Sequence, residues 1–457
     1  MKNILLIDFG STYTKLTAVD VDSEEILGTA QAFTTVATDI NEGLSNALSR
    51  LEAKIGRLEY ADSYACSSAA GGLRMVTSGL VPELTGEAAK LASLGAGAKV
   101  VGVYAFQLTE DDLEDIKTLS PDIFLLVGGT DGGNTECILH NARMIATIKP
   151  TFPIIVAGNR TAVRECEHIL EGCEVHVCPN VMPKFGKLDV EPTQKKIREI
   201  FLGRIVQAKG LSKALELLSD IMMPTPSAVL AAMELLAKGS GDELGIGELI
   251  AVDVGGATTD IYSIADGMPE HMNTVFKGLP EPYAKRTVEG DIGMRYSVMG
   301  IVDAAGIGKV SALSGLSEER INALLAELNS NKGLVPDGDP ELEALDFALA
   351  SLAIEEAVTR HAGTVYETYT MMGQTFVQEG KNLTKVKKIV VTGGSLIHTE
   401  RTKEIASHAL FSLSRPDSLR PKEADILVDR KYILAAMGLL STYYPEVALR
   451  IMKKELQ

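Results

Sequence analysis

The chain has 457 residues, of which 46% are hydrophobic and 23% charged, a globular composition that excludes wholesale disorder. Its 44 Lys and Arg residues against 61 Asp and Glu residues give a formal charge of −17. The chain therefore lacks the overall positive charge that attracts nucleic acids and anionic membranes, and we expect neither as a partner. Aromatic residues make up only 5%, which disfavours stacking platforms for bases or sugars.

The start of the chain carries no feature of an exported protein. The apolar run at residues 4–7 ends at Asp8, which is too short for the core of a signal peptide. No stretch approaches the ~20 uncharged apolar residues of a membrane span. We therefore expect a cytoplasmic protein.

The first predicted elements are two strands joined by a turn. Residues 4–7 form a buried strand, residues 15–19 form a second strand, and the turn between them contains Gly10, Ser11 and Thr12. A weaker glycine-containing loop follows at 67–72. We regard that loop as structural, with a functional role as the alternative.

An alternation of strands and helices follows between residues 97 and 180. Because such alternation is typical of a parallel sheet, we expect a small α/β unit here. The predicted strands are 99–103, 122–127 and 152–157, and the predicted helices are 109–119 and 135–148. The loop from Gly128 to Asn134 lies between a strand and a helix, where it could bind an anion or serve only as a turn that needs positive φ.

The five cysteines do not form a disulfide framework. Cys166, Cys173 and Cys178 lie close to His168 and His176, but their spacing fits no common zinc pattern. We interpret them as ordinary thiols, with a metal or iron–sulfur site as the alternative. Residues 190–238 are predicted to be helical, with breaks at the prolines at 224 and 226.

The strand–turn–strand pattern returns at residues 249–266. Asp253, Gly255 and Thr259 each stand 245 positions after Asp8, Gly10 and Thr14, whereas Lys15 is matched by Asp260. The repetition indicates an internal duplication whose two copies have diverged, with chance similarity of two hairpins as the alternative.

The remaining elements lie beyond the second turn. Glu289, Asp291 and Arg295 belong to a segment where Asp291 is expected either as a helix N-cap or, with its neighbours, as a nucleotide or metal contact. Residues 316–380 are predicted to be mostly helical around a loop at 333–340. A strand at 388–392 then ends in a double-glycine turn, and a last apolar helix covers 432–440.

The two equivalent turns have the chemistry of a phosphate site. Glycine lets backbone N–H groups approach an anion, and nearby hydroxyl groups add donors. Asp8 and Asp253 would repel a polyphosphate unless Mg²⁺ lay between them, so we expect them to hold this ion. Lys15 is expected to reach the terminal phosphates. Asp260 is expected to orient or activate water, or alternatively to cap a turn or contact the metal indirectly.

These motifs resemble those of the actin/Hsp70/sugar-kinase superfamily of ATPases. Residues 8–15 resemble its first phosphate motif, residues 253–260 its second, and residues 392–395 its adenosine motif. The resemblance implies two duplicated actin-like (ribonuclease H-like) α/β lobes that bind ATP and Mg²⁺ in a cleft and close by a hinge. The implied catalytic residues are Asp8, Asp253 and Asp260, with Asp8 and Asp253 at the metal. The implied nucleotide-binding residues are Gly10, Ser11, Thr12, Lys15, Gly255, Gly256, Ala257, Thr258, Thr259, Gly393, Gly394 and Ser395.

A narrower resemblance covers the whole chain. Residues 287–297 and the loop 128–134 are similar to the MutL/GlmL family, whose genes accompany cobalamin-dependent glutamate mutase. This resemblance implies an ATPase that acts as a reactivating chaperone. It would use ATP binding and hydrolysis to close the lobes and release damaged cobalamin from an adenosylcobalamin-dependent mutase, glutamate mutase or a related aminomutase. The mutase subunit is the expected partner, with a homodimer as a further expectation. A small-molecule kinase of the same superfamily and an actin-like polymerising ATPase remain as alternatives.

The predicted domain organisation combines duplication with insertion. Residues 1–96 form the first lobe, 97–185 an inserted α/β domain, and 186–246 a helical segment that completes the first lobe. Residues 247–457 form the second lobe, with a helical insertion at about 301–385.

Overall fold

The computed structural model describes residues 2–10, 12–34, 40–68, 73–208, 220–270, 273–371 and 373–456. The strands in chain order are β1 (Asn3–Phe9), β2 (Tyr13–Asp20), β3 (Glu25–Phe33), β4 (Asp62–Ser67), β5 (Arg74–Gly79), β6 (Lys99–Ala105), β7 (Ile123–Leu126), β8 (Ile154–Val156), β9 (Val175–Val177), β10 (Asp220–Pro224), β11 (Gly239–Ser240), β12 (Glu243–Leu244), β13 (Leu249–Val254), β14 (Thr259–Ile264), β15 (Thr274–Lys277), β16 (Ala284–Glu289), β17 (Thr364–Thr370), β18 (Gly373–Glu379), β19 (Lys388–Thr392) and β20 (Asp425–Val428).

The helices in chain order are α1 (Ile40–Ile55), α2 (Glu87–Gly95), α3 (Glu110–Leu119), α4 (Glu136–Thr147), α5 (Val163–Ile169), α6 (Glu191–Ala208), α7 (Thr225–Lys238), α8 (Val298–Ala305), α9 (Ile307–Ser314), α10 (Glu318–Ser330), α11 (Pro340–His361), α12 (Gly394–Ile397), α13 (Thr402–Ala406), α14 (Leu434–Ser441) and α15 (Pro445–Glu455). Across the described residues, no helix combines the length and the apolar character that a membrane crossing requires.

The chain divides into two compact units. One comprises Met1–Ala232 and Leu434–Ile451, and the other comprises Met233–Ile433 and Met452–Gln457. The first unit contains a sheet of strand order β10-β4-β1-β2-β3, in which β1, β2 and β3 are antiparallel and β4 and β10 run parallel to β1 and to each other. Strand β1 is apolar over consecutive residues because the sheet buries nearly all of it.

A second sheet in the first unit is entirely parallel. Its order is β6-β5-β7-β8-β9, and α3, α4 and α5 supply apolar residues to the core beside it. This sheet confirms the parallel α/β arrangement that strand–helix alternation predicted. It also includes β5, which precedes residue 97, where the predicted insertion begins. The predicted division into domains stays a prediction.

The second unit repeats the first sheet. Its strand order is β16-β14-β13-β19-β20, again with three antiparallel strands followed by two parallel ones. Strand β13 is the counterpart of β1, β14 of β2, and β19 of β4. The matching order and directions confirm the duplicated α/β fold expected from the 245-residue repeat.

Helices α8 to α11 pack beside this sheet in the core of the second unit, and α11 is buried along most of its length. The helical prediction for 316–380 is right up to His361 and wrong beyond it. Strands β17 and β18 form a hairpin there, and β18 also pairs with β15. The segment Thr-Val-Tyr-Glu-Thr-Tyr-Thr is rich in β-branched and aromatic residues, which favour a strand.

Two further predictions about helices need correction. Pro224 ends strand β10 instead of breaking a helix, and Pro226 lies in the first turn of α7, where its missing N–H costs nothing. Residues 291–297 are not helical, because α8 begins only at Val298. Asp291 is therefore not an N-cap.

Candidate functional site

The carboxylate of Asp8 lies near the end of β1, in a small cluster of polar side chains. The antiparallel register places Asp8 opposite Lys15, whose Nζ is 3.8 Å from Asp8 Oδ2. Thr225 Oγ1 donates a hydrogen bond of 2.6 Å to Asp8 Oδ1, and Cys66 Sγ lies 3.6 Å from the same oxygen. Asp8 is almost completely buried, so these neighbours fix the direction of its carboxylate.

The turn after β1 requires glycine at position 10. The Gly10 N–H donates to the Tyr13 carbonyl oxygen at 3.1 Å, and a Cβ at Gly10 would lie 2.6 Å from that oxygen. Thr12 is exposed, and its carbonyl oxygen accepts a hydrogen bond from Thr34 N. Ser11, which the sequence predicts as a phosphate donor, lies outside the described residues.

Cys66 and Thr225 are neighbours of Asp8 that the sequence analysis did not identify. Cys66 lies at the register position of Asp8 on the parallel strand β4, and Thr225 follows directly after β10. Burial, and after it the Asp8 carboxylate, raise the pKa of the Cys66 thiol well above its ordinary value. The signal for Thr225 was hidden because residues 190–238 were predicted as helix, and the short strand before Thr225 was missed.

The second turn repeats this backbone arrangement with different side chains. Asp253 lies opposite Asp260 in the β13–β14 register and beside Thr392 in the β13–β19 register. Gly255 N donates to Thr258 O at 2.9 Å, and a Cβ at Gly255 would lie 2.8 Å from the same oxygen. The two predicted turns thus share one backbone design, in which a glycine N–H closes on the carbonyl three residues later.

An arginine holds Asp260 on strand β14. Arg286 Nε and Nη2 donate to Asp260 Oδ1 at 2.8 and 2.6 Å, and Thr258 Oγ1 lies 3.3 Å from Asp260 Oδ2. Burial works against the charged guanidinium, but the Asp260 carboxylate raises the pKa of Arg286 above its ordinary value. Burial, with Asp260 adding to it, raises the pKa of Tyr262 well above its usual range. One oxygen of Asp260 is therefore engaged by Arg286, and its role toward water stays a prediction.

The segment 290–297 packs directly on the second turn. Met294 N donates to Gly255 O, while Arg295 N and Tyr296 N both donate to Gly256 O. A Cβ at Gly293 would lie 2.4 Å from the backbone of Ala257, so the two loops touch closely. The segment 290–297, which is part of the stretch 287–297 that carries the narrower family resemblance, therefore supports the second turn.

Further side-chain bonds tie this segment and the turn together. Ser297 Oγ donates to Ala257 O at 2.7 Å, and the buried Thr259 hydroxyl donates to Ile292 O at 3.1 Å. A phosphate contact by Thr259 stays a prediction.

The charged residues of the 287–297 segment make ion pairs within the second unit. Arg295 Nη1 and Nη2 bind the Asp346 carboxylate at 3.1 and 2.7 Å, which is a bidentate pair. Burial raises the pKa of Asp346 even though Arg295 opposes the shift. Arg360 Nη1 bonds both Glu289 and Asp291 at 2.8–2.9 Å. These partners give the three residues structural roles, and contact with a nucleotide or metal stays a prediction.

The third predicted turn lies beside the second one at the same edge of the sheet. Gly393 has φ +118°, and a Cβ there would lie 2.3 Å from Val254 O, whereas the nearest atom to a Cβ on Gly394 is 3.9 Å away. Thr392 Oγ1 donates to Asp429 Oδ2 at 3.3 Å. Ser395 lies in the short helix α12. Strands β13 and β19 therefore bring two of the three predicted motifs together within one unit.

Asp8 and Asp253 are candidate Mg²⁺ ligands, and they would leave most of the coordination shell to water and phosphate oxygens. Among the described residues, no group of three or more His, Cys, Asp or Glu side chains comes together as a metal site. Mg²⁺ commonly binds through one or two carboxylates, with waters and substrate phosphates completing its shell. In Asp8, Oδ1 accepts from Thr225 and Oδ2 lies 3.8 Å from Lys15 Nζ, and binding of Mg²⁺ by this carboxylate stays a prediction. A site that depends on phosphate oxygens is consistent with so few protein ligands.

The loop from Gly128 to Asn134 is well satisfied by hydrogen bonds within its own unit. In the loop from Gly128 to Asn134, Gly129 and Gly132 have φ +71° and +76°. Asn159 Oδ1 accepts from Gly132 N, and its Nδ2 donates to the carbonyl oxygens of residues 133 and 134. These contacts fit the alternative of a turn that needs positive φ, and ligand binding there stays a prediction. Residues 69–72 of the weaker loop lie outside the described residues.

The cysteines near residue 170 do not converge. Cys166 is buried against the core of the parallel sheet, and burial raises the pKa of its thiol to about 11. His176 Nε2 lies 3.0 Å from Glu174 Oε1, and His168 is exposed beside Glu171. Within the described residues no three His, Cys, Asp or Glu side chains come together here as a metal site, and the interpretation as ordinary thiols stays a prediction.

Known proteins resemble this chain along its whole length. The sequence model of the family described as "MutL protein" matches residues 4–456. Protein MutL of Clostridium tetanomorphum is 46% identical over 460 residues, which cover 100% of this chain and 99% of the relative.

Similarities to solved structures are much weaker. The (R)-2-hydroxyglutaryl-CoA dehydratase component A of Acidaminococcus fermentans has a TM-score of 0.35 at 10% identity, covering 98% of this chain and 100% of that one. The activator of 2-hydroxyisocaproyl-CoA dehydratase from Clostridium difficile, with bound ADPNP, has a TM-score of 0.33 at 9% identity, covering 100% and 98%. Xylulose kinase from Lactobacillus acidophilus has a TM-score of 0.35 at 11% identity, covering 100% and 92%. At such low TM-scores, these alignments support no conclusion about this chain.

Proposed function

Because this chain belongs to the MutL protein family, we propose that it is an ATP-dependent reactivating chaperone for an adenosylcobalamin-dependent mutase, glutamate mutase or a related aminomutase. In this proposal ATP binding and hydrolysis drive the release of damaged cobalamin from the mutase. The choice of the mutase as the partner rests on the family resemblance. The observation that supports an ATPase is the pair of equivalent glycine turns, each closed by the same backbone hydrogen bond beside an aspartate.

The side chains around these turns have distinct tasks in the proposed reaction. The tightly closed turns present backbone to an incoming phosphate without a Cβ at Gly10 or Gly255. Asp8 and Asp253 would hold Mg²⁺, which when bound offsets the negative charge of the phosphates. Lys15 adds a positive charge near Asp8, and Asp260 keeps its Oδ2 toward the turn while Arg286 holds Oδ1.

A turnover measurement tests the ATPase part of the proposal. We expect Asp8→Asn and Asp253→Asn to lower Mg²⁺-dependent phosphate release at least about 100-fold, because removing a preorganised charge from a reaction centre has effects of this order. Asp266→Asn is the matched control, since Asp266 is exposed just beyond the other end of β14. Wild-type turnover in both site variants would overturn the assignment of the turns.

The client is tested with an inactivated mutase. Glutamate mutase loaded with hydroxocobalamin is incubated with this protein, ATP, Mg²⁺ and free adenosylcobalamin, and mutase activity is followed. We expect activity to return with ATP and the wild-type chain, but not with Asp8→Asn. Phosphate transfer from ATP to a small metabolite, with no effect on the mutase, would favour the kinase alternative instead.

A further inference from the structure

A pocket in the second unit lies apart from the glycine turns. Its volume is about 370 Å³, which is within the range of small-molecule sites. Its walls come from helices α9 and α11, from residues 407–414 and from Arg420. Its charged or titratable lining residues are Lys309, Glu355, His408 and Arg420.

Arg420 is the unusual member of this lining. Its side chain is fully buried, and Nη1 donates to the His408 carbonyl oxygen at 3.1 Å. Its Nε and Nη2 atoms are also withdrawn from solvent, yet neither has a hydrogen-bond acceptor. Buried donors are nearly always satisfied, so an arginine with two open donors calls for a missing acceptor. Nε and Nη2 form one edge of the guanidinium, the geometry that binds a carboxylate or phosphate in a bidentate manner.

The one carboxylate in the lining is already engaged elsewhere. Glu355 Oε1 lies 3.4 Å from Lys309 Nζ, and its Oε2 lies 3.6 Å from His408 Nδ1. The His408 hydrogen bond, followed by Lys309 and Arg420, lowers the pKa of Glu355 to about 2 despite its partial burial. The lining holds two cationic side chains, Lys309 and Arg420, against the single carboxylate of Glu355. An anion would therefore enter a positively charged pocket.

Part of the pocket lining is apolar. Leu313, Leu352, Leu410 and Phe411 line the pocket, and Leu352 belongs to the core of the unit. A purely inorganic anion would make no apolar contact with these residues. We propose that the pocket binds a small carboxylic acid, with its carboxylate on the Nε–Nη2 edge of Arg420 and a short aliphatic chain against these residues. None of the lining residues belongs to the glycine turns, so the proposal does not depend on ATP binding there.

Ligand-observed NMR on the full-length protein tests this pocket. The probe is sodium butyrate, followed by saturation transfer to its methyl protons, with acetate and inorganic phosphate compared at constant pH and ionic strength. We expect saturable butyrate binding, with acetate at least threefold weaker because it lacks the alkyl chain that contacts the apolar wall. Phosphate that binds as tightly as butyrate would overturn the assignment to a carboxylic acid.

Two variants locate the binding. Arg420→Gln should weaken butyrate at least tenfold, because it removes the charge and the bidentate edge. Ala312→Trp should do the same by filling the pocket from an exposed position on α9, where the substitution leaves the core intact. The matched controls lie on the neighbouring helix α10: Arg320→Gln at a half-buried position and Ala323→Trp at an exposed one. Butyrate binding that is absent from the wild type, or unchanged in Ala312→Trp, would overturn the proposal even if Arg420→Gln does not fold.

Discussion

At the scale of single residues, the Asp8 carboxylate depends on one hydroxyl for its direction. Thr225 Oγ1 donates to Asp8 Oδ1 at 2.6 Å, and the two residues are 217 positions apart in the chain. Hydrogen bonds to a charged group contribute about 1.5–3 kcal/mol each. Thr225 is therefore a positioning residue for Asp8.

We expect Thr225→Val to raise the Mg²⁺ concentration required for half-maximal ATPase activity, because the misdirected carboxylate would hold the ion poorly. The free energy of unfolding, measured by urea titration, should fall by about 1–3 kcal/mol. Thr225→Ser retains the hydroxyl and should restore the Mg²⁺ dependence. A serine variant that behaves like the valine variant would show that the hydroxyl alone does not position Asp8.

The double glycine at 393–394 gives a residue-scale test of backbone geometry. Gly393→Ala should destabilise the second unit by at least about 2 kcal/mol, because a Cβ would lie 2.3 Å from Val254 O at a φ of +118°. Gly394→Ala is the matched control, since its Cβ would meet nothing closer than 3.9 Å. The midpoints of thermal unfolding of the two variants, with and without ATP, measure this destabilisation. Equal midpoints for the two variants would show that close packing against Val254 does not require glycine at position 393.

At the scale of elements, the sequence predicted those strands and helices that local residue patterns determine. Apolar runs before glycine turns located β1, β13 and β19, because a strand buried on both faces is continuous in hydrophobicity. The hairpin of β17 and β18 was missed, since β18 pairs with the distant β15 and β17 is largely exposed. Residues 291–297 were expected either to open a helix or to contact the nucleotide or metal, but the backbone N–H groups of residues 294–296 donate to the glycine turn at 255–256. Tertiary partners of this kind leave no local signal.

A buried lysine joins the hairpin to the sheet of the second unit. Lys381 Nζ donates to Tyr283 O at 2.7 Å and lies 3.4 Å from Ser263 O on β14. Burial, followed by repulsion from Lys285, lowers the pKa of Lys381 from 10.5 to about 7. Between those two values the unfolded chain keeps a proton on Lys381 that the folded chain has lost. Because the unfolded state binds more protons there, stability increases with pH through this window.

The expected result is a pH-dependent difference between the wild type and Lys381→Met. The methionine variant cannot titrate, so the wild type should gain stability relative to it as the pH rises from about 7 toward 10.5. The slope is at most about 1.4 kcal/mol per pH unit. Urea unfolding at several pH values measures the difference, in which titrations common to both proteins cancel. A difference that stays constant across this range would show that the Lys381 pKa is not lowered.

At the scale of the whole molecule, duplication explains why the glycine turns were predictable and their side-chain surroundings were not. The backbone of each turn requires glycine, and both copies also have the aspartate, so the repeat is visible in the sequence. The positions on neighbouring strands diverged: Cys66 and Thr392 occupy the same register position beside Asp8 and Asp253. Thr225 and Asp429 both follow the last strand of their sheets. Such equivalences become visible only through strand register, because no shared residue type marks them.

The same divergence predicts different roles for Lys15 and Asp260, which face Asp8 and Asp253 in equivalent registers. If the Lys15 ammonium group binds phosphate, Lys15→Ala should weaken ATP binding about 10-fold or more and change kcat less. Asp260→Asn keeps the shape of the side chain and its approach to Arg286 but removes the charge. It should lower kcat by about 100-fold or more while ATP affinity stays within a factor of a few. Steady-state kinetics and equilibrium ATP titration separate the two effects. Identical profiles for both variants would mean that the duplicated turns kept one common role.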